Sequence, residues 1–328
     1  MLSSVVRFGL AAALLASVAL AQEKGKWVNI TEGPAGKIAA EFGTKKPPFG
    51  WPTAGVAVDP ASGDLYVVFS DHGLHKSADQ GATFERVDGK TVGGRCETGY
   101  ALNFDPAGKR LMCFMIYGSS ARTDDAGKTF AKSGTSHLDF GAVDWEDTGK
   151  TMLSFRHEKA GMLCLTTDAG ATWKDLDKGF KGLGVIDSKT LLATKGAGIL
   201  RSTDAGATWE TVSDAKVKSP TARVFKGVAY WAADKGFVIS RDQGKTWTPE
   251  WTVDAVHGPW FGKTADHVMV VGSKGFHESR DGGKTWTVVA PLPTGFTVGL
   301  VGPNYAWDPH ADIFYASSMG KHTFQFRR

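Results

Sequence analysis

Short apolar runs alternating with polar residues, each ended by Gly, Asp or Lys, recur along the whole chain and predict β-strands of four to eight residues. In residues 53–87, Thr53–Pro60 reads as an inner strand, Gly63–Ser70 (GDLYVVFS) as a second, Gly73–Ala78 as a third and Thr83–Val87 as a fourth. Later stretches scan alike, with Lys109–Tyr117, Lys150–Phe155 and His267–Val271 as second strands. Near the C-terminus, Thr297–Val301, Ile313–Ser317 and Thr323–Arg327 read as three more strands. Lys26–Thr31, at the opposite end, reads as the fourth strand that such a unit would lack.

One phrase punctuates these runs six times: SADQGATF, TDDAGKTF, TTDAGATW, STDAGATW, SRDQGKTW and SRDGGKTW. Its acids are Asp79, Asp125, Asp168, Asp204, Asp242 and Asp281, at intervals of 46, 43, 36, 38 and 39 residues. A fixed period of this size is the mark of a repeat architecture. The residue types fit a tight hairpin: the carboxylate accepts backbone N–H groups across the turn, and the Gly takes a positive φ. The aromatic residue opens the next strand, so Trp173, Trp209, Trp247 and Trp286 are expected in the core, with Trp27 beside them.

The pattern of hydroxyl, Asp, Gly, Thr and aromatic residue resembles the Asp box, or bacterial neuraminidase repeat, over essentially all of residues 22–328. The resemblance implies that each box joins the third and fourth strands of a propeller blade. The expected fold is therefore all-β, a single seven-bladed β-propeller of four-stranded antiparallel blades, closed by pairing the N-terminal strand with the C-terminal strands. Six blades is the alternative count. Proteins with such boxes include sialidases, xyloglucanases and photosystem II assembly factors. The Arg-Ile-Pro signature of sialidases does not occur here, and the xyloglucanases use two propellers where this chain has residues for one. The phrasing of Gly272–Trp286 (GSKGFHESRDGGKTW) resembles the assembly factors, which bind a folding partner.

Composition narrows the function classes. A formal net charge of +4 without blocks of like charge gives no nucleic-acid signature. Residues 1–21 read as a secretory signal peptide, with Arg7 before an apolar stretch from Phe8 to Leu20 and Ala19-Leu20-Ala21 as the cleavage site. Export to a periplasm or the cell exterior follows, with no membrane span in the mature chain and a monomer expected. Three Cys cannot make a disulfide framework; Cys113 and Cys164 lie in apolar strands as small buried hydrophobes, and Cys96 lies in a loop.

In an antiparallel meander, successive turns fall on opposite faces. The six box carboxylates therefore sit on one face in structural turns. The other face gathers the second-to-third turns and the blade-to-blade connections, where pockets of repeat folds form. Residues expected there as ligand contacts are Trp51, His72, Arg95, Glu97, His137, Asp139, Arg223, His257, Trp260 and His322. Five of the nine His residues fall on this face, and its cations outnumber its acids, which suits an anionic glycan or a protein partner. Trp51 and Trp260, in loops with Pro and Gly, are of the type that stacks on sugars. Tyr117, Arg156, His157 and Glu158 are the candidates for catalysis: a lyase needs a His or Tyr base with a cation beside the uronate. Glycoside hydrolysis needs two carboxylates about 5–9.5 Å apart, and no spacing in the sequence pairs them. A metal held by His residues of several blades is conceivable from residue types, but no motif marks one, and no cofactor is implied. The residues thus support a binding module or scaffold, with a hydrolase or polysaccharide lyase acting on an anionic polysaccharide as the alternative.

Overall fold

The computed structural model describes residues 24–41, 52–96, 98–196 and 198–328. The expected signal peptide, residues 1–21, and the candidate contacts Trp51 and Glu97 lie outside the described residues. Seven four-stranded antiparallel sheets follow one another round a ring. Strand β1 (Trp27–Asn29) precedes a short helix, α1 (Glu32–Glu41). The first blade is β2 to β5 (Val56–Val58, Leu65–Phe69, Gly73–Ser77, Glu85–Arg86). The second is β6 to β9 (Leu102–Phe104, Leu111–Cys113, Ser119–Thr123, Ala131–Ser136). The third is β10 to β13 (Leu138–Val143, Met152–Arg156, Leu163–Thr166, Lys174–Asp175), and the fourth β14 to β17 (Phe180–Asp187, Thr190–Lys195, Ile199–Ser202, Glu210–Ser213). The fifth is β18 to β21 (Arg223–Phe225, Val228–Ala233, Gly236–Ser240, Thr248–Glu250), and the sixth β22 to β25 (His257–Phe261, Val268–Gly272, Gly275–Ser279, Thr287–Ala290). The seventh holds β26 (Asn304–Asp308), β27 (Ile313–Ser317) and β28 (Phe324–Arg327), completed by β1.

Burial explains the sequence pattern. Each second strand lies between two neighbouring blades, so both of its faces are covered and it reads as a continuous apolar run, as in LYVVF of β3 and VMVVG of β23, every residue of which is buried. Outer strands such as Lys174–Asp175 are polar and exposed. Close blade packing also asks for small residues: a Cβ on Gly141 of β10 would stand 2.4 Å from the Phe114 ring of the preceding blade.

The ring closes as expected. Trp27, Val28 and Asn29 pair with Phe326, Gln325 and Phe324. Trp27 Nε1 donates to Pro291 O (2.8 Å), and its ring meets Phe276 and Phe326. Behind the ladder, buried hydroxyls tie the seam: Thr323 N donates to Thr31 Oγ1 (2.8 Å), and Thr53 Oγ1 lies 3.0 Å from Ser317 Oγ and donates to Lys321 O.

One strand assignment made from sequence needs correction, and one helix was missed. Thr297–Val301 is a loop with Leu300 and Val301 exposed, and the inner strand of the seventh blade is Asn304–Asp308, buried throughout. Hydrophobicity alone favoured the loop, whereas Asn304–Asp308 has β27 to pair with. The helix α1 was not foreseen; Gly33, Pro34 and Gly36 disguise it, yet Ala35, Ile38 and Ala39 bury its inner face.

The boxes form one hydrogen-bonded unit repeated six times. The Asp Oδ1 accepts the N–H of the Thr four residues on (2.8–2.9 Å), and Oδ2 accepts that Thr's hydroxyl (2.5–2.7 Å). The Ser or Thr two residues before the Asp donates to Oδ1 and accepts the Gly N–H (2.7–3.0 Å). These donors, the Thr hydroxyl foremost, hold the carboxyls of Asp125, Asp168, Asp204 and Asp281 at about 2. Two consecutive residues have positive φ in every box, the Gly and the one before it, such as Ala169 at 59° and Gly170 at 88°. The box indoles are half-buried rather than fully enclosed. Trp173, Trp247 and Trp286 turn Nε1 back onto the carbonyl of their own box Gly.

Candidate functional site

The two ends of the channel differ. At the end opposite the boxes, residues of the second and third blades converge. The connection from the first blade pairs with the second through Arg95 and Ile116, which exchange backbone hydrogen bonds of 3.0 and 3.1 Å. That pairing lays the Arg95 guanidinium 4.4 Å from the centre of the Tyr117 ring, a cation–π contact. Tyr117 occupies the turn between β7 and β8 with φ at 53°, and it is 42% exposed. A bulky residue keeps such a backbone angle only when its surroundings impose it.

Those surroundings come from the third blade. A register shift between Leu138 and Gly141 brings Asp139 toward the channel end, and bulges of this kind re-aim side chains. Asp139 Oδ1 lies 2.6 Å from His157 Nδ1, and His157 Nε2 lies 3.0 Å from Tyr117 Oη. The Tyr117 hydroxyl also donates to Glu158 Oε1 at 3.0 Å. His137 stands edge-to-face with Tyr117 (5.5 Å) and roughly parallel to His157 (6.5 Å). With its proton on Nδ1 facing Asp139, a neutral His157 leaves Nε2 as a second acceptor, beside Glu158, for the single phenol proton. Doubly protonated, it donates at both ends.

Six residues singled out in the sequence, Arg95, Tyr117, His137, Asp139, His157 and Glu158, thus lie in one cluster. Arg156 does not join it. Its side chain turns to Asp175 (2.7 Å) and Thr135, because it sits on β11 facing the outer strands. His72 is buried with Nδ1 2.7 Å from Ser70 O, and His322 contacts Thr31 Oγ1 at 3.3 Å, its pKa lowered by burial.

Arg223, His257 and Trp260 lie elsewhere than the sequence suggested. They belong to the inner strands β18 and β22, not to connections. His257 is buried against Tyr100 with Nε2 3.2 Å from Gly299 O, and burial pulls its pKa to about 4. Arg223 and Trp260 line a cavity of about 270 Å³ in the channel. The cavity extends to first-to-second turns through Pro60, Pro106, Lys263 and Pro309, which lie on the face that carries the boxes. Pockets were expected at the other face; inner strands with Phe104, Phe225, Phe261 and Trp307 leave the space here instead.

A second acid also recurs unnoticed in the sequence. Asp59, Asp105, Asp144, Asp187 and Asp308 end inner strands and accept the backbone N–H two residues on (2.8–3.0 Å). Its recurrence locates β26, which carries no Asp box after it. Cys96, Cys113 and Cys164 are free and buried. Among the described residues no three His, Cys, Asp or Glu are grouped to hold a metal ion, and no helix is long and apolar enough to cross a membrane.

The model of the BNR/Asp-box repeat matches residues 238–249, which span the fifth box. No curated protein matches the sequence. Among solved structures, one titled YCF48 bound to D1 peptide superposes with a TM-score of 0.51 at 14% identity, covering 86% of this chain and 95% of that one. An ancestral GH74 enzyme gives 0.51 at 14% identity, over 83% of this chain and 45% of its own. The extracellular domain of a hybrid two component system from B. thetaiotaomicron gives 0.52 at 11% identity, over 83% and 39%. At these identities the likeness is one of fold: a Asp-box propeller of seven blades.

Proposed function

We propose that this protein is an exported binding module that docks a protein or glycan partner on the channel end where Tyr117 is displayed. The observation that carries the reading is the way Tyr117 is held. Arg95 lies under its ring, His157 and Glu158 hold its hydroxyl, and its backbone keeps a conformation that costs energy. A half-exposed aromatic side chain fixed on all sides loses little entropy on contact and is the type of anchor that dominates interfaces. The cations and imidazoles around it suit an acidic partner surface or uronate-bearing glycan. A propeller of this size described as bound to a peptide is the precedent for a protein partner.

The chain Asp139–His157–Tyr117 favours a second reading, a carbohydrate-active enzyme. A carboxylate that orients an imidazole, which in turn contacts a phenol, is an arrangement able to move a proton at a substrate carbon or glycosidic oxygen.

Two substitutions separate the readings. Binding to immobilised acidic and neutral polysaccharides and to an extract of exported proteins is compared for the wild type, Tyr117→Ala and Tyr117→Phe, alongside assays for reducing ends and unsaturated uronates. For a binding module, Tyr117→Ala weakens capture about tenfold or more, Tyr117→Phe changes it little, and no product forms. Product formation that Tyr117→Phe abolishes transfers the site to the enzyme reading. Capture unaffected by Tyr117→Ala removes this end of the channel from both. Export is checked by the mass of the mature chain, expected to begin at Gln22.

A further inference from the structure

We propose that the opposite end of the channel is a binding site for a small organic anion: a single carboxylate attached to a flat apolar body. The proposal concerns a separate cavity and does not rest on the partner docked at Tyr117.

Three observations converge on it. First, the charges are one-sided. The basic residues lining the cavity are Arg223, Lys263 and His310, and among the described residues no Asp or Glu lines it. Second, among the described residues Arg223 has no counter-charge. Its guanidinium lies over the rings of Tyr100 (5.2 Å) and Trp260 (5.9 Å), and its Nε is buried without a hydrogen-bond partner. No carboxylate among the described residues pairs with it. A half-buried guanidinium, stacked on aromatic faces with its Nε closed off from water, is costly unless an acceptor reaches its planar N–H edge, and a carboxylate is the group that matches that edge. Third, the depth suits a small molecule. Inner strands run toward the first-to-second turns, so Arg223, the first residue of β18, lies two residues, about 7 Å of extended chain, below Phe225 near the mouth. Lys263 stands after β22 at that mouth.

The walls define the rest of the ligand. Phe104, Trp260 and Trp307 come from three blades, and Phe225 and Phe261 stack at 4.0 Å with an angle of 10°. Such walls favour a planar apolar body over a hydrated sugar. A space of about 270 Å³ holds a compound of this class and no folded partner. With His257 neutral near pH 7, as its lowered pKa dictates, the deep charge is that of one arginine, which calls for one carboxylate rather than a dianion.

The test uses the full mature protein with benzoate, cinnamate and indole-3-acetate, each beside its uncharged amide, read by calorimetry and tryptophan fluorescence. At least one acid is expected to bind, its amide about tenfold or more weaker. Arg223→Gln is expected to reduce the affinity for that acid about tenfold while leaving the melting temperature unchanged or raised, because it removes a half-buried charge that no described carboxylate balances. Lys263→Gln, at the mouth, reduces it only about two- to threefold and more at low salt than at high. Acid and amide binding alike, or no acid binding at 10 mM, an upper limit on the order of useful affinity, overturns the proposal. So does capture only of peptides with a free C-terminus, which would make the cavity a peptide site. If Arg223→Gln does not fold, the acid-to-amide ratio of the wild type and the Lys263→Gln result still decide it.

Discussion

Six blades turn from their third strand to their fourth on an Asp box, whereas in the seventh no turn joins the third strand, β28, to the fourth, β1, which comes from the other end of the chain. In a box blade the turn is held by its own eight residues: one carboxylate and one hydroxyl satisfy the backbone within four positions. In the seventh blade the equivalent task falls to long-range partners, with Trp27 seated on Phe276 and Phe326, and Thr31, Thr53, Ser317 and Thr323 joined across the seam. The difference teaches where stability is concentrated. Box hairpins are many, local and individually modest, while the seam occurs once and every blade depends on it, since an open ring exposes two sheet edges.

Breaking the seam is therefore expected to give the largest effect. Trp27→Ala removes the half-buried indole and its bond to Pro291, and should cost about 3 kcal/mol, read from urea unfolding. A loss under about 1 kcal/mol, the size of an ordinary surface change, would mean that the seam is no more important than any hairpin. Breaking one box should cost less. Ser202→Ala leaves the buried Gly206 N–H without its acceptor, for about 1–2 kcal/mol, and the same change at Ser279 should add independently because the two boxes lie in different blades. The smallest effect is the share of the pH dependence that the boxes contribute. Their carboxyls are lowered in the folded state, so the stability they add is present above the ordinary carboxylate range near 4 and is lost as the pH falls through about 2. A melting temperature followed from pH 5 to pH 2 should fall, and Asp168→Asn combined with Asp204→Asn should flatten part of that fall. The turn carboxylates are exposed, so solvent screening keeps this contribution modest at neutral pH.

The same contrast explains what could be read from sequence. A box is written in eight consecutive residues, so its turn, its register and the blade count were legible from six copies. The face opposite the boxes was legible as a list: topology sends Arg95, Tyr117, Asp139 and His157 there. Their hydrogen bonds were not, since Tyr117 and His157 belong to different blades and the bulge that brings Asp139 to His157 has no local signature. Arg156 was misjudged for the same reason, being one residue from His157 and therefore on the alternate side of the strand. Arg223 and Trp260 were placed in loops because Pro, Gly and His surround them, although inner strands beside a channel need little hydrophobicity. The overlooked Asp at the end of inner strands would have corrected both the seventh blade and the depth of the channel.

The seam also orders events in time. Trp27 and Phe326 are about 300 residues apart along the chain, and each box joins residues four apart. Hairpins of the second kind form as soon as their own segment exists, whereas the first contact waits for the last strand to be made. The entropy of closing so long a loop grows only logarithmically with its length, so the delay costs the finished ring little, but contacts of great sequence separation slow the search. Until it closes, β1 is a lone strand of three residues and β28 an unpaired edge. The protein is consequently most vulnerable to mispairing and proteolysis late in folding, when nearly all of its blades are already built.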